Sequence, residues 1–148
     1  MKRVLIVFGI FVVAVLSLGA QVFAAFADEG EFRNSSGNII GYMKEDGSVR
    51  NSSGNTIGYF KPDGSVRNAS GNSIGKIDSD GTIRNGSGNS IGKVDRDGTV
   101  RNKSGNSIGK VDSGGTVRNG SGNSIGSAKN ITAEHAAAFF FFFFTDLV

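Results

Sequence analysis

Arginine followed by asparagine recurs at Arg33, Arg50, Arg67, Arg84, Arg101 and Arg118, each step being 17 residues. Guanidinium groups grip carboxylate or phosphate oxygens through paired N–H donors. Six of them at a fixed period are therefore a candidate ring for an anion or a phospholipid headgroup. The plainer role is a solvated outer face neutralised by neighbouring aspartates. Two acidic segments, Asp78-Ser79-Asp80-Gly81 and Asp95-Arg96-Asp97-Gly98, have the look of calcium-loop fragments. The equivalent Glu45-Asp46-Gly47, Pro62-Asp63-Gly64 and Ser113-Gly114-Gly115 do not keep both acids in that spacing, which fits a plain Asp-Gly turn better. His135 is the one histidine. It has no obvious triad partner and is expected as a solvated or capping residue at a helix start. There is no cysteine, which removes disulfide-linked partners and thiolate chemistry together. No phosphate loop, paired catalytic carboxylates or nucleophile elbow stands out, so no enzymatic activity and no cofactor are expected. Each Arg-Asn step also opens an Asn-x-Ser sequon, and turn chemistry in the repeat register accounts for that pattern.

What positions these residues is a repeat. Its consensus is [VI]-R-N-x-S-G-N-x-I-G-x-[VI]-x-x-D-G-[ST], with five complete units and a sixth that leaves the pattern after Gly126. Each unit holds two short apolar segments between turn residues, as in Thr99-Val100-Arg101-Asn102 and Ser90-Ile91-Gly92-Lys93-Val94. The Asn-x-Ser-Gly-Asn and Asp-x-Asp-Gly connections suit tight turns. About twelve strands of four to five residues follow, running up and down. In the first strand of a unit, Val66 faces a core and Arg67 faces water. In the second, Ile74 and Ile77 are three apart, and a bulge at Gly75 would bring both inward. Such short strands must stack as an open solenoid or close into a ring. Neither end of the array looks like a cap, so a ring is expected, and a ring needs a filled centre.

The filling is expected from the C-terminus. Thr132 suits an N-cap, with Glu134 in the first helical turn. Ala136, Ala137 and Ala138 precede Phe139, Phe140, Phe141, Phe142, Phe143 and Phe144. A helix apolar all round is buried or in a membrane. Nine residues at 1.5 Å each span roughly 13 Å, less than half of a bilayer core but close to the height of the strands. A plug inside a barrel fits these lengths. The alternative is a tail that inserts into a lipid surface or a partner.

Residues 1–27 read as a secretory leader: Lys2 and Arg3, an apolar run over 4–18, and small-residue exits at Ala24 and Ala27. The chain would then be exported to the periplasm or beyond, and without cysteine it would not be a lipoprotein. The whole chain has 16 basic and 13 acidic side chains. Two basic residues and no acid leave with the leader, so the remainder is close to neutral and nucleic acid is not an expected partner.

The Val-Arg-Asn-x-Ser-Gly-Asn-x-Ile-Gly units, the Asp-Gly turns and the Ala-rich helix ending in phenylalanines resemble the five-fold β-flower family of bacterial exported proteins. The resemblance covers roughly residues 30–144. It implies a mainly β fold: a closed, pseudo-symmetric antiparallel barrel of about 10–12 short strands with a hydrophobic C-terminal helix through the centre. That architecture is similar to the C-terminal domain of tubby-like proteins, some of which bind lipid headgroups. The family brings no enzymatic activity and no catalytic residues. One departure is that six hairpins are present here, so either one unit lies outside the ring or the ring has six petals. The expected organisation is a leader at 1–27, six hairpin repeats at 28–127, and a linker with the Phe-rich helix at 128–148. The expected role is a non-enzymatic structural or interaction module of the cell envelope. The alternative is a binder of lipid or a small amphiphile, using the barrel mouth, the arginine ring and the phenylalanine helix at a membrane surface.

Overall fold

The computed structural model describes residues 29–148. The expected leader at 1–27 lies outside the described residues.

Twelve strands form one closed antiparallel barrel. They are β1 (Gly30–Asn34), β2 (Ile39–Met43), β3 (Ser48–Asn51), β4 (Thr56–Phe60), β5 (Ser65–Asn68) and β6 (Ser73–Ile77). The circuit continues with β7 (Thr82–Asn85), β8 (Ser90–Val94), β9 (Thr99–Asn102), β10 (Ser107–Val111), β11 (Thr116–Asn119) and β12 (Ser124–Lys129). Every strand pairs with its sequence neighbours, and β12 closes on β1 with Glu31 opposite Lys129 and Asn34 opposite Gly126. The ring therefore has six petals, all of them inside the symmetry. Strand β12 runs through Ala128 and Lys129, so the wall extends two residues past the expected boundary at 127.

Two kinds of connection make the petals. In the loop of the first petal, Ser36 and Asn38 N–H both donate to Asn34 Oδ1 at 3.0 Å, and Gly37 N–H donates to the Asn34 carbonyl at 2.9 Å. The asparagine side chain closes the turn locally, which is why the same residue recurs at every tip. Petals are joined by Asp-Gly turns at four of the five joints, with Gly114-Gly115 at the fifth. In one of these, Thr82 N–H donates to Asp80 Oδ1 at 3.0 Å, and Val94 N–H in the next petal donates to the Gly81 carbonyl at 2.9 Å. Gly81 has φ +91°, and a Cβ on it would run into the Val94 carbonyl, so this position admits only glycine. That bond ties each turn to the following hairpin in addition to the strand ladder.

The expected bulge is present, one residue earlier than expected. Val66 pairs with Gly75 and Arg67 with Ser73, leaving Ile74 as the extra residue on one side. On the other side Gly75, Lys76 and Ile77 pair regularly with Asn85, Arg84 and Ile83. Both Ile74 and Ile77 pack against the core, but neither is fully buried. The buried residue between them is Gly75 itself.

The reason lies on the axis. After β12 the chain turns at the mouth, and helix α1 (Ala133–Ala137) starts with Thr132 Oγ1 accepting the His135 N–H at 3.2 Å. The helix continues over Ala138–Phe143 in a wider, π-type winding, and Phe144 N–H reaches back five residues to the Phe139 carbonyl. The sequence leads to an ordinary helical rise here, and the structure differs. Six wall glycines face the axis, and each meets one phenylalanine ring. Phe140 lies against Gly126, Phe141 against Gly109, Phe142 against Gly92, Phe143 against Gly75, Phe144 against Gly58, and Phe139 against Gly41. A Cβ on Gly92 would lie 2.6 Å from both Phe142 Cε1 and the Arg101 carbonyl. Consecutive phenylalanines thus step petal by petal around the ring. Six petals divide the circle more finely than the about 100° step of an α-helix. A wider winding brings each side chain closer to its own petal. Among the described residues no helix is long and apolar enough to cross a membrane.

Around this axis the wall supplies a ring of fully buried side chains: Phe32, Val49, Val66, Ile83, Val100 and Val117. Phe32 departs from the β-branched pattern and stacks on Phe139 with centroids 3.7 Å apart.

Candidate functional site

All six arginines sit on the outer wall, because they follow inward-facing residues such as Val66 and Ile83 by one position. In each petal Arg Nη1 donates to the carbonyl of the loop glycine four residues on, at 2.8 Å in Arg33 and 3.1 Å in Arg84. One end of every guanidinium is therefore fixed by the backbone of its own petal.

The other end distinguishes the petals. Arg84 Nε donates to Asp78 Oδ2 at 2.7 Å, Arg101 to Asp95 at 2.7 Å and Arg118 to Asp112 at 2.8 Å. Arg33 pairs with Glu31 at 2.8 Å. In these four the guanidinium is paired with an acid of the same chain. Arg50 and Arg67 differ. Their Nε atoms are buried and have no hydrogen-bond partner among the described residues. The position that carries Asp78, Asp95 and Asp112 in three petals carries Lys44 and Lys61 here. The cross-strand neighbour also changes, since Lys76 faces Arg84 whereas Tyr42 faces Arg50 and Tyr59 faces Arg67. The sequence signal was the exchange of Lys76-Ile77-Asp78 for Tyr59-Phe60-Lys61. The common Arg-Asn template hides it.

A recess of about 470 Å³ opens at one of these two places, lined by Tyr59, Lys61, Arg67, Ala69, Ser70 and Gly71. Lys61 Nζ lies 5.5 Å from the Tyr59 ring centroid. At the neighbouring petal Lys44 is already bound by Glu29 at 2.6 Å.

The acidic turn segments do not converge. Asp78 is turned to Arg84, while the Thr82 N–H and then the Thr82 side chain hold the Asp80 carboxyl below its usual range. Among the described residues no group of three His, Cys, Asp or Glu side chains could hold a metal ion. His135 is at the helix start as expected, but its ring is only partly solvated. It stacks on Phe60 with centroids 4.7 Å apart, and its Nδ1 is buried without a partner among the described residues. Burial pushes its pKa below the ordinary value, and Glu134 opposes that shift. Of the helix residues, Ala136, Ala137, Ala138 and Phe139 are fully buried, and Phe140 and Phe144 nearly so. Phe141, Phe142 and Phe143 are partly covered toward the opposite mouth.

A protein-family model described as "5-fold beta-flower protein" matches residues 19–113 and, in a second placement, 62–144. Overlapping placements are natural for a chain whose petals are nearly interchangeable. No curated protein and no solved structure matches.

Proposed function

Since the chain belongs to the 5-fold beta-flower family, we propose that it is an exported, non-enzymatic module of the cell envelope that works through the outside of its barrel. The observation that carries this reading is the filled axis. Six phenylalanines occupy six wall glycines, and the charged side chains of the repeat stand on the outer wall. What remains for recognition is a rigid, repeated outer surface with six loop tips.

The competing reading, a binder of lipid or a small amphiphile through the barrel mouth, needs the helix to yield space or to leave. The burial of Phe139 and its stacking on Phe32 weigh against that. Four of the six arginines already hold an acid of the same chain, which weakens the case for a headgroup ring.

The full chain expressed in a bacterial host tests the proposal. It should appear in the periplasmic or external fraction, with mass spectrometry placing its new N-terminus after Ala24 or Ala27. The purified product should co-sediment with envelope material and should not float with liposomes, with or without anionic lipid. An unprocessed cytoplasmic chain overturns the export reading, and flotation overturns the outer-wall reading.

A further inference from the structure

We propose that the recess formed by Tyr59, Lys61 and Arg67 is a binding site for a carboxylate carried by an external ligand. The proposal rests on the outer wall being the working surface, and it names the chemistry that one sector of that wall takes. Its basis is a comparison the molecule makes with itself. In three petals an arginine of the same position, held by the same loop carbonyl, has an aspartate oxygen 2.7 to 2.8 Å from its Nε. In the petal of Arg67 the scaffold is unchanged, with Nη1 held by the Gly71 carbonyl at 2.9 Å, but the aspartate is replaced by Lys61. The result is a pre-positioned guanidinium with a buried, unpartnered Nε–H and a second cation where its counter-ion stands elsewhere. A buried donor without an acceptor is costly to the folded chain, and two cations facing one space add repulsion. A carboxylate oxygen placed where the aspartate oxygen sits in the other petals relieves both.

The surroundings suit such a ligand. Tyr59 stands where three other petals carry Lys76, Lys93 and Lys110, and it presents an aromatic face to the ring or chain that carries the carboxylate. Nε is covered in the unliganded arrangement. A ligand therefore reaches it only when side chains lining the recess move, and the flexible one among them is Lys61, whose Nζ lies 5.5 Å from the Tyr59 ring centroid. That movement would expose the tyrosine and the arginine to the ligand together. The petal of Arg50 repeats the motif in weaker form, because Glu29 already neutralises Lys44. The turn beside the recess carries one acid. Asp63 offers no oxygen to Arg67: it accepts from the Ser65 hydroxyl and N–H at 2.7 and 2.9 Å and feels the Arg67 charge only through space.

The test uses the chain without its leader, with arginine Nε–H signals assigned by NMR in a chloride buffer free of oxyanions. The probe is glucuronate as its methyl glycoside, with the carboxylate free; methyl glucoside is the neutral control, and inorganic phosphate is a second arm. Glucuronate should shift Arg67 Nε–H and the Tyr59 ring saturably, Arg50 less, and Arg84, Arg101 and Arg118 hardly at all. Glucoside should shift none of them. A weaker response at Arg67 to phosphate than to glucuronate fits a site shaped for a carboxylate on a ring, and a stronger one overturns that assignment. The decisive variant is Lys61→Asp, which rebuilds the counter-ion of the other petals. It should fold and melt no lower than the parent chain, and it should weaken glucuronate binding about tenfold or more. Equal responses at Arg67 and Arg84, or undiminished binding by Lys61→Asp, overturn the site. An Arg67 response in a chain that proves not to be exported leaves the site standing and removes only the envelope reading.

Discussion

At Gly75 the wall offers no side chain and the axis offers Phe143. Toward the other mouth the roles reverse: Phe60 and Val94 point inward from the wall, and the axis carries Ala136 and Ala137. Wall and helix are complementary in volume level by level, as a close-packed interior requires. They differ in symmetry. The wall repeats six times, whereas the helix is a single strand of chain with no rotational symmetry of its own. Six identical side chains in sequence are the way one helix can present the same group to six petals. The wall is set by local turn chemistry, while the axis is set only by the wall around it. Each can be disturbed separately, and the effects should rank accordingly.

Removing residues 132–148 should have the largest effect. It uncovers six axis-facing glycines and the ring of Val49, Val66, Ile83 and their equivalents at once. Twelve short strands without a core are not expected to persist. Circular dichroism should show loss of the cooperative thermal transition, and the truncated chain should aggregate. A truncated chain that melts cooperatively and stays monomeric would show that the wall stands alone.

Next come single glycines, which separate packing from backbone geometry. Gly75→Ala places a Cβ against the Phe143 ring and the Arg84 carbonyl. The backbone cannot retreat without breaking the strand ladder, so a loss of about 2–3 kcal/mol in urea unfolding is expected. Gly71→Ala, at a loop tip, meets nothing within 4 Å but has φ +88°. Its cost is strain alone, roughly 1 kcal/mol. Equal losses would mean that ring-on-glycine contact is not what fixes the axis to the wall.

Much of the wall was legible because each petal is a local unit. The Arg-Asn period, the Asn and Asp-Gly turns and the alternation of Val66 with Arg67 all lie within one 17-residue window. Closure was legible because no cap ends the array. The axis was harder to read. A run of identical phenylalanines carries no period, so nothing in it announces a π-type winding. The glycine between Ile74 and Ile77 reads locally as a bulge, and its partner Phe143 is 68 positions away in the chain. His135 looked like a helix-start residue and is one. That it would stack on Phe60 depends on a petal that is itself an exception, since the equivalent positions hold Met43, Ile77, Val94, Val111 and Ala128. The arginines show the opposite failure: a strict repeat made six residues look equivalent when two of them have lost their acid.

The axis should also respond to acid before the wall does. His135 has a pKa below its ordinary 6.5 because its ring is partly withdrawn from water. The unfolded chain then binds a proton more readily than the folded one. Stability is full above about pH 6.5 and declines as pH falls toward the depressed value. The aspartates act lower. The Thr82 and Thr99 N–H groups hold Asp80 and Asp97 below 3.8, so their contribution is present above that pH and is lost only as pH falls through their folded values. Melting temperatures between about pH 7.5 and 5.5 should therefore fall modestly in the parent chain. In His135→Phe, which keeps a ring against Phe60, they should stay flat. A slope that persists in the variant assigns the titration to another group.

The smallest effect should come from the outer wall, where the petals differ only in what faces Nε. Asp78→Ala removes the counter-ion of Arg84 and turns its petal toward the state of Arg67. The pair is partly solvated, with Arg84 39% and Asp78 24% exposed in their side chains. The loss should therefore be about 1 kcal/mol or less. The same substitution should give Arg84 Nε–H a glucuronate response that the parent chain lacks. That response should be weaker than the one at Arg67, because Lys76 and not Tyr59 stands opposite the arginine in this petal. A stability loss near zero with no new response would mean that the aspartate is incidental to its arginine. In that case the missing acid beside Arg67 would no longer mark a site.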